Sequence, residues 1–218
     1  ITTDYETGGL SFDRAKFEEQ LKKNPDDVTA LFAEQGRTSS ADVEFLGSGS
    51  GTTRGNYAIN ITQAATQGGV LGDSALTDGV VIDGTNDEIE FTVDGSTNFT
   101  IQLSQQTYAS AADLVAEIQS QIDSNSALNA AGQSVRVGLD SNGVLQFTSG
   151  AFGSNSNVSI LSVENGAALG LSAKTGTLGK DVAGTVNGQE ATGDGRVLTV
   201  TGAGGAKGMQ LQVAGYKD

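Results

Sequence analysis

The sequence predicts an α+β protein: small antiparallel β-rich domains, one with a helix packed on its sheet, preceded by a short helical hairpin. Three observations predict it. Short runs alternate apolar and polar residues, which is the period of a half-buried strand. One internal segment, beginning at Ser110, carries an apolar stripe at helical spacing. Glycine is very frequent, at 31 of 218 residues, and turn dipeptides separate the alternating runs.

Residues 1–40 hold the helical hairpin. Asp13 is placed to cap a helix from Arg14 to about Lys23, with Phe17 and Leu21 four residues apart. Lys22 and Lys23 fall in its last turn, where cations are favoured. Asn24-Pro25 stops it, and Pro25 fits the first turn of a second helix, Asp26 to Glu34, burying Val28, Leu31 and Phe32. Gly36 ends that helix. Two helices this short cannot bury a core of their own, so the segment is expected to belong to an adjoining domain.

Residues 42–46 and 54–65 read as strands. In the second, Tyr57, Ile59 and Ile61 alternate with Asn56, Ala58, Asn60 and Thr62. The run Gly47-Ser48-Gly49-Ser50-Gly51 between them reads as a flexible link. Gly68-Gly69 and Gly72 mark a boundary.

The chain is organised around Glu88 to Gly150, read as strand, strand, helix, strand, strand. Ile89, Phe91 and Val93 share one face of the first strand, and Phe99, Ile101 and Leu103 one face of the second. Asp94-Gly95-Ser96-Thr97 supplies the hairpin turn. Ser110-Ala111-Ala112-Asp113 resembles a capping box, with Asp in place of the usual Glu or Gln. Leu114, Ile118 and Ile122 then recur every fourth residue, with Val115 beside them. Gln133 to Asp140 is a strand with Val135, Val137 and Leu139 inward. Ser141-Asn142-Gly143 turns the chain into Val144 to Ser149, with Leu145 and Phe147. One antiparallel sheet with the helix on one face is the simplest burial of these stripes. Val80 to Asp83 and Val158 to Val163 flank this core as strands, and Ala167 to Lys174 is a short helical turn or a loop.

Residues 181–218 are β again: Val182 to Val186, the turn Asn187-Gly188, Arg196 to Thr201, and a last strand with Met209, Leu211 and Val213. The strands at 54–65 and 196–214 match in length and polarity and are expected to share one small domain. The domain organisation is therefore 1–40, a helical segment of an adjoining domain; 41–72 plus 181–218, a discontinuous β domain; and 73–180, an inserted α+β domain.

The formal net charge is −14. Residues 1–40 carry 8 acidic and 5 basic side chains, and residues 41–218 carry 18 and 7. Between Arg54 and Arg136 there are 10 carboxylates and no Lys or Arg. Such a surface repels nucleic acid and anionic lipid, both of which need a basic footprint. No stretch reaches the roughly 20 apolar residues of a membrane-spanning helix. A basic start followed by an apolar run is also missing, so no cleavable signal peptide is expected. Ile1 is not an initiator Met, and the chain is expected to be a piece of a longer one. With no Cys, no disulfide contributes to stability.

The chemistry of the composition argues against an enzyme. With no His and no Cys, the usual catalytic bases, thiol nucleophiles and zinc ligands are absent. Most carboxylates sit in turns or at a helix start, where backbone hydrogen bonding accounts for them. The run Gly202-Ala203-Gly204-Gly205-Ala206-Lys207-Gly208 is not a phosphate loop: no Ser or Thr follows Lys207 and the flanks are strands, so it reads as a flexible hairpin link. Asp83, Thr85, Asp87 and Glu88 resemble the opening of a calcium loop, but Glu88 stands where that loop needs Gly. Asp140-Ser141-Asn142-Gly143 reads first as a turn. Asn60-Ile61-Thr62, Asn98-Phe99-Thr100 and Asn157-Val158-Ser159 match a glycosylation pattern that is frequent by chance. No catalytic, cofactor-binding or metal-ligating residue is assigned, and no cofactor is expected. Asp87, Glu88 and Glu90 are read as an acidic face whose replacement by Lys leaves folding intact.

Three stretches carry a family resemblance. The opening, Ile1-Thr2-Thr3 … Gly9-Leu10-Ser11-Phe12-Asp13 … Lys16-Phe17 … Leu21 … Asn24-Pro25 … Val28 … Leu31-Phe32, resembles a segment of the bacterial flagellar filament cap proteins, also called hook-associated protein 2. Phe91-Thr92-Val93-Asp94-Gly95, Ala112-Asp113-Leu114-Val115 with Ile118, and Leu145-Gln146-Phe147-Thr148-Ser149 are similar to a repeat of flagellins and hook-associated proteins. Val182-Ala183-Gly184-Thr185-Val186-Asn187-Gly188 through Leu211-Gln212-Val213-Ala214-Gly215 also resembles cap-protein sequence. The resemblance implies a secreted, extracellular structural protein at the flagellum tip. It implies self-association into a ring by the full-length chain, flagellin as partner, promotion of flagellin insertion, and a need for it in motility. A fragment of the outer head region is expected to be monomeric. No catalytic or cofactor residue is implied. The alternative reading is a surface adhesin or exposed flagellin domain binding host mucin, cells or surface glycans.

Overall fold

A computed structural model describes residues 2–3, 10–11, 13–25 and 36–214, the first two pairs by their backbone alone. The fold is α+β and antiparallel throughout its sheets.

At the start, β1 (Thr2–Thr3) pairs with β2 (Leu10–Ser11). Helix α1 (Arg14–Lys23) follows, capped as expected by Asp13, whose carboxylate accepts the Lys16 N–H. It buries no residue, and Leu21 remains 41% exposed. The expected second helix lies outside the described residues.

A six-stranded sheet is built from both ends of the remaining chain. Its order is β3 (Val43–Gly47), β18 (Gln210–Val213), β16 (Val197–Val200), β15 (Gln189–Asp194), β14 (Ala183–Val186), β5 (Ile59–Gln63). The two early strands thus form its two edges, with the C-terminal meander between them. The expected strands at 54–65 and 196–214 share this sheet without being neighbours: β5 pairs with β14, and β3 pairs with β18. Val182, Val186, Leu198, Val200, Leu211 and Val213 form its core, with Phe45, Tyr57, Ile59 and Ile61 packed against them. Asn187-Gly188 is a two-residue turn with φ of 50° and 74°, the left-handed pair that matches the twist of the flanking strands.

The glycine runs are not slack. β4 (Gly51–Thr52) pairs with β17 (Ala206–Lys207), so the two links expected to be flexible hold each other. The Thr53 N–H and the Tyr57 hydroxyl both donate to Gly205 O, at 2.7 and 2.6 Å.

Between β5 and β14 the chain makes a second, larger core. The expected single sheet is in fact two three-stranded sheets. One has the order β13 (Val158–Val163), β8 (Glu88–Val93), β9 (Thr97–Gln102); the other β11 (Val135–Leu139), β12 (Val144–Ser149), β6 (Gly69–Ala75). Phe91 joins them, stacked on Phe99 at 5.1 Å and tilted against Phe147 at 4.9 Å. Each hairpin was legible on its own; the outer strand that each recruits, β13 or β6, is what separates them. A small pair, β7 (Val80–Val81) with β10 (Thr107–Tyr108), completes the strands.

Strand β6 was not expected, because Gly68-Gly69 and Gly72 read as a boundary at residue 72. Those glycines instead allow close approach of backbone: a Cβ on Gly69 would lie 2.2 Å from the Phe147 carbonyl oxygen. Val70 sits in the larger core.

Helix α2 (Ala111–Asp123) buries Leu114, Ile118 and Ile122, as its spacing predicts, and packs against β11 and β9. The capping box of Ser110 and Asp113 is formed in both directions. A further helix, α3 (Ser126–Ala131), was missed although its signals are local. Asn125 caps it, Gly132 ends it at φ 64°, and Leu128 is buried beneath it. At the Ala167–Lys174 segment the chain makes one 3-10 turn, Gly166–Leu169, burying Leu169.

Candidate functional site

The carboxylates expected on one acidic face divide by strand position. Glu88 is exposed, and Glu90 is partly buried with the Ser162 hydroxyl donating to it at 3.2 Å. Asp87 is buried, only 5% exposed, and accepts from the Gln105 amide at 2.8 Å. A Lys there would carry a cation into the core edge, so the expectation that all three tolerate Lys is corrected for Asp87.

The turn carboxylates are engaged by backbone. Asp83 accepts from the Thr85 hydroxyl and N–H, and these bonds, the hydroxyl's first, hold its pKa below the usual carboxylate value. Asp140 accepts from the N–H groups of Val144 and Asn142 at 2.9 and 2.8 Å, and the Val144 bond contributes most to its lowered pKa. In the first loop Asp83 Oδ1 takes both of the Thr85 bonds, and in the second both Asp140 oxygens accept from the turn itself, Oδ2 from the Asn142 amide at 3.2 Å. Among the described residues no three acidic side chains gather as a metal site.

Two carboxylates do work that sequence alone did not reveal. Asp94 reads as a turn residue, yet its Oδ1 accepts from the Ser149 hydroxyl at 2.8 Å and the Asn157 N–H at 2.9 Å. It ties the β8–β9 turn to the end of β12 and the start of β13. Asp181 accepts from the N–H groups of Ser154 and Gly195, at 2.9 and 2.8 Å. Its pKa is lowered by hydrogen bonds from Ser154 first and from Gly195. In sequence both are single acidic residues beside Gly or Lys, and no local pattern marks their long-range partners.

The concavity beside α2, lined by Gln106, Tyr108, Asp113, Ala116 and Glu117, is shallow and open. Glu117 accepts from Ser104 and Gln121; burial opposes its ionisation, but these bonds outweigh it and lower its pKa. No nucleophile, base and oxyanion donors converge there. Among the described residues, no helix is long and apolar enough to cross a membrane. Among the described residues, Glu88, Asp123, Glu190 and Asp194 are carboxylates exposed at the surface.

Comparison with known proteins bears on that surface. A family profile described as flagellar hook-associated protein 2 C-terminus matches residues 1–127. The fold is similar to the crystal structure of the D2-D3 domains of the flagellar cap protein FliD from Escherichia coli. That pair has 17% identity and a TM-score of 0.52, covering 83% of this chain and 92% of that one. The FliD D2-D3 domains of Serratia marcescens align at 18% identity and TM-score 0.53, covering 81% and 95%. A comparison with curated protein sequences finds no match.

Proposed function

The chain belongs to the flagellar hook-associated protein 2 family, and from that premise we propose that it is part of the cap at the tip of the bacterial flagellar filament. In this reading it lies outside the cell, contacts flagellin, and promotes insertion and polymerisation of flagellin subunits, so that motility depends on it. The full-length protein self-associates into a ring. Its role is structural: it positions subunits and transfers no chemical group. The family match over residues 1–127 is the observation that carries the reading. The hydrogen-bonded turn carboxylates support a contact surface rather than a reactive centre. No observation on the molecule favours the adhesin alternative.

The domain organisation belongs to the same proposal. Residues 1–40 attach to an adjoining domain, the six-stranded sheet forms a discontinuous domain, and the larger core is inserted in it. Two separate apolar cores support this division.

The experiment is deletion of the gene from a flagellated source strain, followed by complementation. The expected result is loss of swimming with flagellin monomers released into the medium, restored by the full-length gene. Normal filaments in the deletion strain would overturn the proposal. A full-length Glu88→Lys/Glu90→Lys variant should fold normally and reduce swimming if flagellin contacts this carboxylate pair; unchanged swimming removes the pair from the interface.

A further inference from the structure

The chain passes between the two cores twice, and the crossings are bonded side by side. The Thr66 N–H donates to Lys180 O at 2.8 Å, and the Lys180 N–H donates to Thr66 Oγ1 at 2.9 Å. Two strands in a ribbon would by themselves be a hinge, and relative motion is the ordinary behaviour of domains joined this way.

A third segment spans the gap. Residues 150–156 leave the end of β12 and reach the β15–β16 turn of the six-stranded sheet. The Gly153 N–H donates to Thr66 O at 2.9 Å. The Ser154 N–H and the Gly195 N–H converge on the same oxygen, Asp181 Oδ1. The Arg196 guanidinium lies 3.5 Å from the centroid of the Phe152 ring. Gly153 has φ 100°, and a Cβ there would lie 2.3 Å from Asp181 Oδ1 and 2.6 Å from Gly195 Cα. Backbone therefore packs on backbone where the two cores meet. Beneath it, fully buried Ser156 accepts from the Gly68 N–H and donates to Ala151 O, both at 2.8 Å, while its carbonyl accepts the Gly179 N–H at 2.9 Å.

We propose that residues 151–156 are a strut that locks the two cores into one rigid body, so that the protein moves as a single plate. A ribbon of two strands bends about the line it defines; the Phe152–Arg196 contact and the Asp181 oxygen shared by Ser154 and Gly195 add a third support that opposes the bend. The inference rests on the division into two domains proposed above. That division is tested separately, by whether proteolysis at residues 64–68 and 177–180 releases a folded fragment.

The strut is tested with pulsed spin-label distances. The chain has no cysteine, so introduced ones label uniquely. Ala127→Cys on α3 and Glu44→Cys on β3 are exposed and belong to different cores. The expected result is one narrow distance distribution, broadening at least about twofold in Asp181→Ala/Arg196→Ala. A broad distribution before those changes, or an unchanged width after them, overturns the proposal. Asp181→Ala alone removes the oxygen that the Ser154 and Gly195 N–H groups share, and it gives the same two readings should the double variant fail to fold.

Discussion

At the scale of single residues, short polar side chains in turns decide much of this fold. Asn187 sits at φ 50°, its Oδ1 accepts the Ala58 N–H at 2.6 Å, and its own N–H donates to Ala58 O. Asn187→Ala keeps the left-handed backbone but loses the amide that makes it tolerable, at a cost of about 1–2 kcal/mol. A lower urea midpoint with unchanged slope is the expected readout. Asp140 gives a pH signature. Its folded pKa is depressed by N–H groups of Val144 and Asn142. Its contribution is therefore complete above the unfolded carboxylate pKa, about 3.9, and is lost as pH falls through the lower folded value. Asp140→Asn should flatten stability against pH in that acid window, and urea titrations from pH 7 to 2 would measure it. These turns were legible because Asn-Gly and Asp-x-Asn-Gly set the local backbone, but the bonds of Asn187 to Ala58, 129 residues away, were not. Asp94, Asp181 and buried Asp87 were not, because their partners are far off in sequence.

At the scale of elements, what was local was legible. The α2 stripe of Leu114, Ile118 and Ile122 and its capping box follow from one contiguous stretch, residues 110–122. Ser110→Ala removes the acceptor for the Asp113 N–H, and the expected loss is about 1 kcal/mol. It should appear as a lower unfolding midpoint and faster amide exchange in the first turn of α2. The helix also has a task that its stripe does not announce. The Gln119 amide donates to Val135 O at 3.0 Å and accepts the Val137 N–H at 2.9 Å, satisfying the free edge of β11 as a neighbouring strand would. Asn125 likewise donates to Thr100 O on β9. Open edges invite pairing with other chains, and these contacts occupy part of each edge. Strand β6 was illegible for the converse reason: its glycines answer to Phe147 and Gly170, which only the assembled sheet brings near.

At the scale of the whole molecule, charge and topology divide the work. The larger core carries the long acidic stretch without Lys or Arg, and Lys174 beside Asp73 at 2.9 Å is the closest cation–carboxylate pair described there. The charge count foresaw that acidic stretch, and the alternating runs foresaw β structure on both sides of it, but not which strands border which. The order of the six-stranded sheet depends on pairings across 120 residues or more, between β5 and β14 and between β3 and β18. The Thr66–Lys180 bridge has one more consequence. On the proposed division, the detour is a plug in a socket, because both of its ends stand shoulder to shoulder. Removing residues 67–179 and joining Thr66 to Lys180 through a Gly-Asn-Gly turn should leave the socket folded, visible as a cooperative melt and retained dispersion of its amide resonances. A collapsed spectrum would refute this. A socket built so accepts another plug, or none, without remaking a single bond between its own six strands.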